Sequence, residues 1–81
     1  MKAFEPAYSK EALNALLMAG AMQRACARRA VEHLCRYPRR EGDYSETGGE
    51  LQVLLLDGAL LTYRVDDAVC EVRIAMIEWP D

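Results

Sequence analysis

Hydrophobic and polar residues alternate along the second half of the chain, which is the pattern of half-buried β-strands. Asp57-Gly58 lies between two apolar runs and predicts a two-residue hairpin turn. The predicted hairpin register pairs Leu56 with Ala59, Leu54 with Leu61 and Gln52 with Tyr63. With a second turn predicted at Asp66-Asp67, the chain from Glu50 to Trp79 is expected to form an antiparallel β-meander.

The alternation divides this meander into a core face and an outward face. The predicted core face is apolar and consists of Leu54, Leu56, Leu61, Tyr63, Val65, Cys70, Val72, Ile74 and Met76. The predicted outward face mixes apolar and charged residues: Leu51, Val53, Leu55, Leu60, Thr62, Arg64, Val69, Glu71, Arg73, Ala75 and Ile77. A slip of one residue in the last strand would bury Arg73, so the pattern favours this register.

The first half of the chain predicts a short strand and a helix. The strand falls within residues 2–8, and Pro6 excludes it from a central position because proline cannot donate a ladder hydrogen bond. Ser9 then acts as a helix N-cap. The apolar stripe of this first helix consists of Leu13, Leu16 and Leu17. Gly20 is expected to break or bend the chain after it.

A second helix is predicted from Ala21 to Arg36, because Pro38 disfavours helical geometry before it. Its predicted buried stripe is rich in small side chains and consists of Ala27, Ala30, Val31 and Leu34. Residues 38–49 have the composition of a loop, and Tyr44 is expected to anchor its middle. The expected fold class is α+β, with two N-terminal helices on a small antiparallel β-meander in a single domain, residues 1–81.

The amino-acid composition indicates that part of the apolar surface is covered by a binding partner. Hydrophobic residues form 52% of the 81 residues, more than so small a core can easily bury. The predicted outward face exposes several leucines, and we expect another segment or another chain to pack over them. Two interpretations are open: the loop at residues 38–49 or the N-terminal segment packs over this face, or another chain docks on it, including a second copy of this one.

Charge is unevenly divided. The formal net charge is −3, but residues 1–43 carry eight Lys/Arg against five Asp/Glu, whereas residues 44–81 carry two against eight. The basic residues between positions 24 and 40 are Arg24, Arg28, Arg29, Arg36, Arg39 and Arg40. They form either a solvated helix face or a cluster that binds phosphate or an acidic partner. Arg36, Arg39 and Arg40 are the candidate contacts to nucleic acid.

No motif for catalysis, metal binding or cofactor binding is found by spacing. A single histidine, His33, excludes a histidine-clustered zinc site, and it falls at the edge of the buried stripe of the second helix. Three cysteines, Cys26, Cys35 and Cys70, are expected to be free thiols in a reducing compartment. The chain carries no signal segment and no apolar run long enough to span a bilayer, so a cytoplasmic protein is expected.

The layout of two helices, a loop and a meander resembles the RelE/ParE family of bacterial toxins. The likeness is carried by the hairpin Gly58, by the segment from Leu61 to Ile74 with its Tyr63-x-Val65-(Asp66)-Asp67 pattern, and by Leu34-x-x-Tyr37-Pro38. It covers nearly the whole chain in layout. Because strand and turn residues of this kind report packing, the resemblance implies the fold more directly than an activity.

The resemblance implies a type II toxin–antitoxin context with a cognate antitoxin as partner. Ribonuclease members of the family use basic side chains on the sheet to cleave messenger RNA at the ribosome, whereas ParE-like members act on DNA gyrase. At the positions of the sheet cations this sequence has Val53, Leu55 and Leu60, and it reaches Asp81 without the basic terminal segment. No catalytic residue of the family can be placed on it.

These observations predict a toxin-like component that acts by protein binding and lacks the usual messenger-RNA-cleaving residues. The predicted antitoxin or partner surface consists of Leu51, Val53, Leu55, Leu60, Arg64 and Arg73. One alternative is a catalytically inert domain that assembles as a homodimer through the same face. Another is an atypical endoribonuclease that holds RNA with the basic helix.

Overall fold

The computed structural model describes residues 4–38 and 51–80. In chain order its elements are β1 (Glu5–Tyr8), α1 (Lys10–Met18), α2 (Ala21–Arg36), β2 (Gln52–Leu56), β3 (Ala59–Asp66) and β4 (Glu71–Glu78). Both helices pack on the sheet, so the α+β class is as predicted. Most of the predicted loop at residues 38–49, including Tyr44, lies outside the described residues. Within the described part of the chain, no helix combines the length and apolar character needed to cross a bilayer.

The sheet has the strand order β1-β4-β3-β2, and the antiparallel meander β2-β3-β4 is confirmed. The hairpin turn pairs Leu56 with Ala59 and Leu54 with Leu61, as predicted. Asp57 has φ 55° and Gly58 has φ 81°. Positive φ at both central residues matches the twist of the flanking strands, which explains why Asp-Gly signals this hairpin so strongly.

Strand β1 extends the meander by pairing in parallel with β4, from Glu5 beside Glu71 to Tyr8 beside Ile74. The sheet is therefore mixed. Pro6 lies on the edge strand of the described sheet, where its missing N–H costs no ladder hydrogen bond.

A β-bulge corrects the predicted faces of β4. The β3–β4 register shifts between Thr62 and Tyr63, so Ile74 pairs with Tyr63 while Met76 pairs with Thr62. The alternation of β4 reverses past Ala75, because an extra residue in one strand moves every later side chain to the opposite face. The predictions that Met76 is core and Ile77 is outward were wrong: Ile77 is buried and Met76 is exposed.

The second turn is also longer than predicted. Asp66 belongs to β3, and the turn occupies residues 67–70, with Cys70 at φ 52°. Asp66 Oδ1 accepts a hydrogen bond from the backbone N–H of Ala68 at 3.1 Å, an arrangement that stabilises such turns. Cys70 is consequently a half-buried turn residue and not a member of the core.

Helix α1 begins at Ser9, as predicted. The Ser9 Oγ accepts a hydrogen bond from the Ala12 backbone N–H at 3.0 Å and donates one to the Ala75 carbonyl at 2.7 Å, so one hydroxyl caps α1 and joins it to the bulge. The predicted stripe was wrong in part: Ala12 is buried, whereas Leu13 and Leu17 are exposed. Leu13 and Leu17 thus lie on an apolar side of α1, but α1 packs on the sheet with a different side, which includes Ala12.

Helix α2 has the predicted bounds and the predicted buried stripe, to which the structure adds Cys35. Small side chains in this stripe let the helix approach the sheet closely, and the core they share includes Leu61, Val72 and Ile74. The Trp79 Nε1 donates a hydrogen bond to the Gln23 carbonyl at 2.8 Å, which ties the end of β4 to the start of α2.

Candidate functional site

With the bulge taken into account, the outward face is a three-row surface on β2, β3 and β4. The first row is a cationic pair, Arg64 beside Arg73. The second row is formed by Val53, Thr62 and Met76, and the third by Leu55, Leu60 and Glu78. Because alternate residues of a strand project from one face, the rows are spaced by roughly 7 Å.

The apolar part of this face is solvent-exposed. Val53 is 62% exposed and Leu55 is 60% exposed, and Leu51 and Met76 are exposed as well. Leu60 is half-buried. The side chains of Val53 and Leu55 point away from the core, because Leu54 between them and its partner Leu61 occupy inward positions of the same hairpin. An exposed apolar cluster of this kind marks a surface for interaction.

The two arginines of the first row differ in their partners. Arg73 Nε lies 3.0 Å from Glu71 Oε1, and Arg73 Nη2 lies 3.0 Å from Asp66 Oδ2. The hydrogen bond with Glu71 and then the charge of Asp66 raise the pKa of Arg73 above its usual value. Arg73 therefore keeps its positive charge, which two carboxylates of the same sheet compensate.

Arg64 is left as the uncompensated cation of this face. It lies directly across from Arg73 and is exposed, and within residues 4–38 and 51–80 no side chain pairs with it. A cleft of about 290 Å³ adjoins both arginines and is also lined by Ala7, Tyr8, Ser9, Ile74 and Ala75. The side chain of Arg64 can therefore reach a carboxylate or phosphate brought by another molecule.

Some arginines of α2 make structural contacts, whereas others are available to bind another molecule. Arg24 Nε and Nη2 donate hydrogen bonds to the carbonyls of Leu16 and Ala19, at 3.1 and 3.0 Å, and so cap the end of α1. Arg29 Nε lies 3.3 Å from Asp57 Oδ2, which links α2 to the hairpin turn. Two arginines of the predicted basic cluster, Arg24 and Arg29, therefore make structural contacts. The spacing of residues along one helix does not reveal such contacts.

The structure describes only part of the predicted nucleic-acid site, which consists of Arg36, Arg39 and Arg40. Arg36 is exposed and lines a cleft of about 210 Å³ with Arg29, Glu32, His33 and Tyr37. The rings of His33 and Tyr37 lie 5.2 Å apart between centroids. Arg39 and Arg40 fall outside the described residues, so the structure assembles no more than part of this site.

No described residues form a metal centre. Within residues 4–38 and 51–80, no group of three or more His, Cys, Asp or Glu side chains is placed to hold an ion. Cys26, Cys35 and Cys70 are free thiols. The outward face therefore offers apolar contact and one available guanidinium rather than a set of converging acid and base groups.

Tyr8 and Cys35 predict a loss of stability at alkaline pH. Burial, together with the neighbouring Cys35 and Glu32, raises the pKa of Tyr8 above 10.0, and burial raises the pKa of Cys35 above 9.0. Both groups hold their protons more tightly in the folded chain than in the unfolded chain. The contribution of these two groups to stability is therefore fully present below their unfolded pKa values and is lost as the pH rises through the folded ones.

Urea unfolding at pH 8 and pH 10.5 measures this effect. The decrease in the free energy of unfolding between the two pH values should be smaller in a Tyr8→Phe, Cys35→Ala double variant than in the unmodified chain. An equal decrease in both proteins would contradict the assignment.

Comparison with solved structures shows the same arrangement in three chains. The chain superposes on a chain of the intact E. coli RelBE toxin–antitoxin complex with a TM-score of 0.73 and 18% identity, covering 99% of each chain. The chain has a RelE-like fold. The isolated E. coli RelE toxin gives a TM-score of 0.74 at 18% identity, over 99% of this chain and 86% of that one.

A double arginine-to-alanine mutant of E. coli RelE in the free state also gives 0.74, at 19% identity, over 94% of this chain and 82% of that one. No family model matches the sequence, and no curated protein sequence matches it significantly. The RelE-like fold is therefore evident from the three-dimensional arrangement, at an identity that shows the fold alone.

Sequence reasoning missed two residues of this surface, Met76 and Glu78. Both were displaced by the bulge, and the available signal was weak: the apolar sequence Ile74-Ala75-Met76-Ile77 gives no clear alternation. Sequence reasoning also left open which of Arg64 and Arg73 is paired, since that depends on where Asp66 and Glu71 lie in the sheet.

Proposed function

We propose that this chain is a toxin-like component of a type II toxin–antitoxin system and that it acts by binding proteins through the outward face. The observation that carries the proposal is the apolar surface of exposed Val53, Leu55 and Met76 and half-buried Leu60 on a RelE-like fold. One of the solved neighbours is a toxin–antitoxin complex, which supports an antitoxin as the partner.

The same surface disfavours messenger-RNA cleavage as the mode of action. Cleavage of a phosphodiester requires cations around the phosphate and a group that deprotonates or orients the attacking hydroxyl. Val53, Leu55 and Leu60 provide neither. Arg64 alone would supply one charge, and the carboxylates of Asp66 and Glu71 on the same face are already paired with Arg73. Binding to a target such as gyrase or the ribosome is therefore the proposed mode.

Expression of the chain from a tightly regulated promoter in a bacterial host tests the proposal. Growth arrest is expected, and co-expression of an adjacent small open reading frame should relieve it. A Val53→Asp, Leu55→Asp double variant should lose both binding to that antitoxin and growth arrest, because charged groups placed on an apolar docking surface must be desolvated in the complex.

Leu17→Asp is the control, since Leu17 is an exposed apolar residue on α1 and not on the outward face. It should bind and arrest growth like the unmodified chain. Indifference of the host to the unmodified chain would reject the toxin assignment, and unchanged activity of the double variant would reject the outward face as its site.

The endoribonuclease alternative rests on Arg36, Arg39 and Arg40. It predicts that purified protein cuts ribosome-bound messenger RNA and that an Arg36→Ala, Arg39→Ala, Arg40→Ala variant of unchanged fold does not. Under the proposed function the RNA stays intact with both proteins, and primer-extension mapping of cleavage ends distinguishes the two outcomes.

A further inference from the structure

The outward face carries opposite charges at its two ends. Arg64 stands at one end, and Glu78 at the other, with the apolar second row between them. Both are exposed, and neither is paired with another side chain within the described residues. Arg64 lies four residues along β3 from Leu60, and Leu60 pairs with Glu78 on β4. The backbone positions of Arg64 and Glu78 are therefore about 14 Å apart.

We propose that two copies of this chain pair through the outward face, with Arg64 of each copy against Glu78 of the other. A two-fold axis lying in the plane of contact and passing beside Thr62 and Met76 exchanges the positions of Arg64 and Glu78. The face is thereby complementary to itself, as a two-fold interface between identical chains requires.

The apolar residues are compatible with the same axis. Thr62 and Met76 lie near it and meet their own counterparts, while Leu60 of one copy lies toward Val53 of the second. The line from Arg64 to Glu78 is tilted by about 20° from the strands, so the strands of the two sheets cross at roughly 40°. Aligned sheets pack face to face at about 30°, so this geometry is close to a common one.

The charges of Arg73 do not oppose this pairing. Because Glu71 and Asp66 hold Arg73 by two contacts of 3.0 Å, it adds no unpaired cation to the interface. Each dimer would contain two Arg64–Glu78 ion pairs at the rim of an apolar centre. Rim charges fix register and orientation more than they raise affinity.

The dimer is expected to be weak. Three rows on three strands form a small patch, below the roughly 800 Å² per partner of a standard interface, so a dissociation constant of about 10–1000 μM is expected. Such a dimer covers the surface proposed for the antitoxin. Self-association and antitoxin binding would therefore exclude each other, and the test of the dimer requires no toxicity.

Sedimentation velocity from 10 μM to 1 mM total protein at low ionic strength tests the pairing. Arg64→Glu places like charges opposite each other at both ends, and so does Glu78→Arg; each should weaken dimerisation roughly tenfold or more. An equimolar mixture of these two single variants should associate at least as tightly as the unmodified chain, because each then supplies the charge that the other lacks.

Arg28→Glu is the control for net charge, since it changes the total by the same amount on an exposed position of α2. It should leave dimerisation within about twofold of the unmodified chain. The proposal is overturned if the unmodified chain stays monomeric at 1 mM, if the mixture associates no better than its components, or if Arg28→Glu weakens dimerisation as much as Arg64→Glu. Recovery in the mixture also shows that both single variants are folded.

Discussion

Replacing Leu34 by alanine is expected to lower the free energy of unfolding by about 2–5 kcal/mol, the range for leucine-to-alanine changes in protein cores. Leu34 is fully buried in the stripe by which α2 meets the sheet. The change removes buried methyl groups and leaves a cavity that rigid strands cannot close. For a chain of this size, with a total stability of roughly 5–10 kcal/mol, such a loss puts folding at risk.

Leu17→Ala is the matched control, because it makes the same substitution in the neighbouring helix at a position that is 76% exposed. It should change the free energy of unfolding by less than about 0.5 kcal/mol. Urea unfolding followed by circular dichroism at 222 nm compares the two. Similar losses in both variants would contradict the packing described for α1 and α2.

Ser9→Ala is expected to cost about 1–3 kcal/mol, more than an ordinary N-cap replacement. The hydroxyl of Ser9 has two partners, the N–H of Ala12 and the carbonyl of Ala75. Its backbone N–H also donates to the Ile74 carbonyl at 2.9 Å. Removal of the hydroxyl leaves one donor of α1 and the carbonyl at the bulge without their side-chain partner.

Ser9→Thr keeps the hydroxyl and should retain most of the stability, which separates the hydrogen bonds from side-chain volume. Amide hydrogen exchange provides a second measurement, because protection of the Ala12 N–H should fall in Ser9→Ala and persist in Ser9→Thr. A loss below about 0.5 kcal/mol in Ser9→Ala would show that water replaces both hydrogen bonds at little cost.

Local signals predicted the parts of the fold that depend on neighbouring residues. Asp57-Gly58 sets the hairpin register by its positive φ angles, and Pro38 sets the end of α2. The reversal of Met76 and Ile77 was not predictable by alternation, because period-two reasoning assumes an uninterrupted ladder. The bulge is recognised only in the three-dimensional structure, where Ala75 is the extra residue and its carbonyl accepts a hydrogen bond from Ser9 at the start of α1.

The candidate surface was likewise predicted in part. Alternation placed Val53 and Leu55 on the outward face, where the structure also has them. The functions of the arginines could not be predicted, because their partners are distant in sequence or on another strand: Arg29 meets Asp57, and Arg73 meets Asp66. Whether a basic residue is available for binding is decided by such tertiary contacts rather than by its position on a helical wheel.

The parallel pairing of β1 with β4 has a consequence for the order of folding. The last described strand lies between β1 and β3, and the Ser9–Ala75 hydrogen bond spans 66 residues of chain. Neither β1 nor α1 can make its contacts with the sheet on a growing chain until β4 has been synthesised, because both meet the sheet at β4. Folding should thus be late and all-or-none, governed by one long loop closure, and a chain arrested before β4 would present its unpartnered strands to chaperones and proteases.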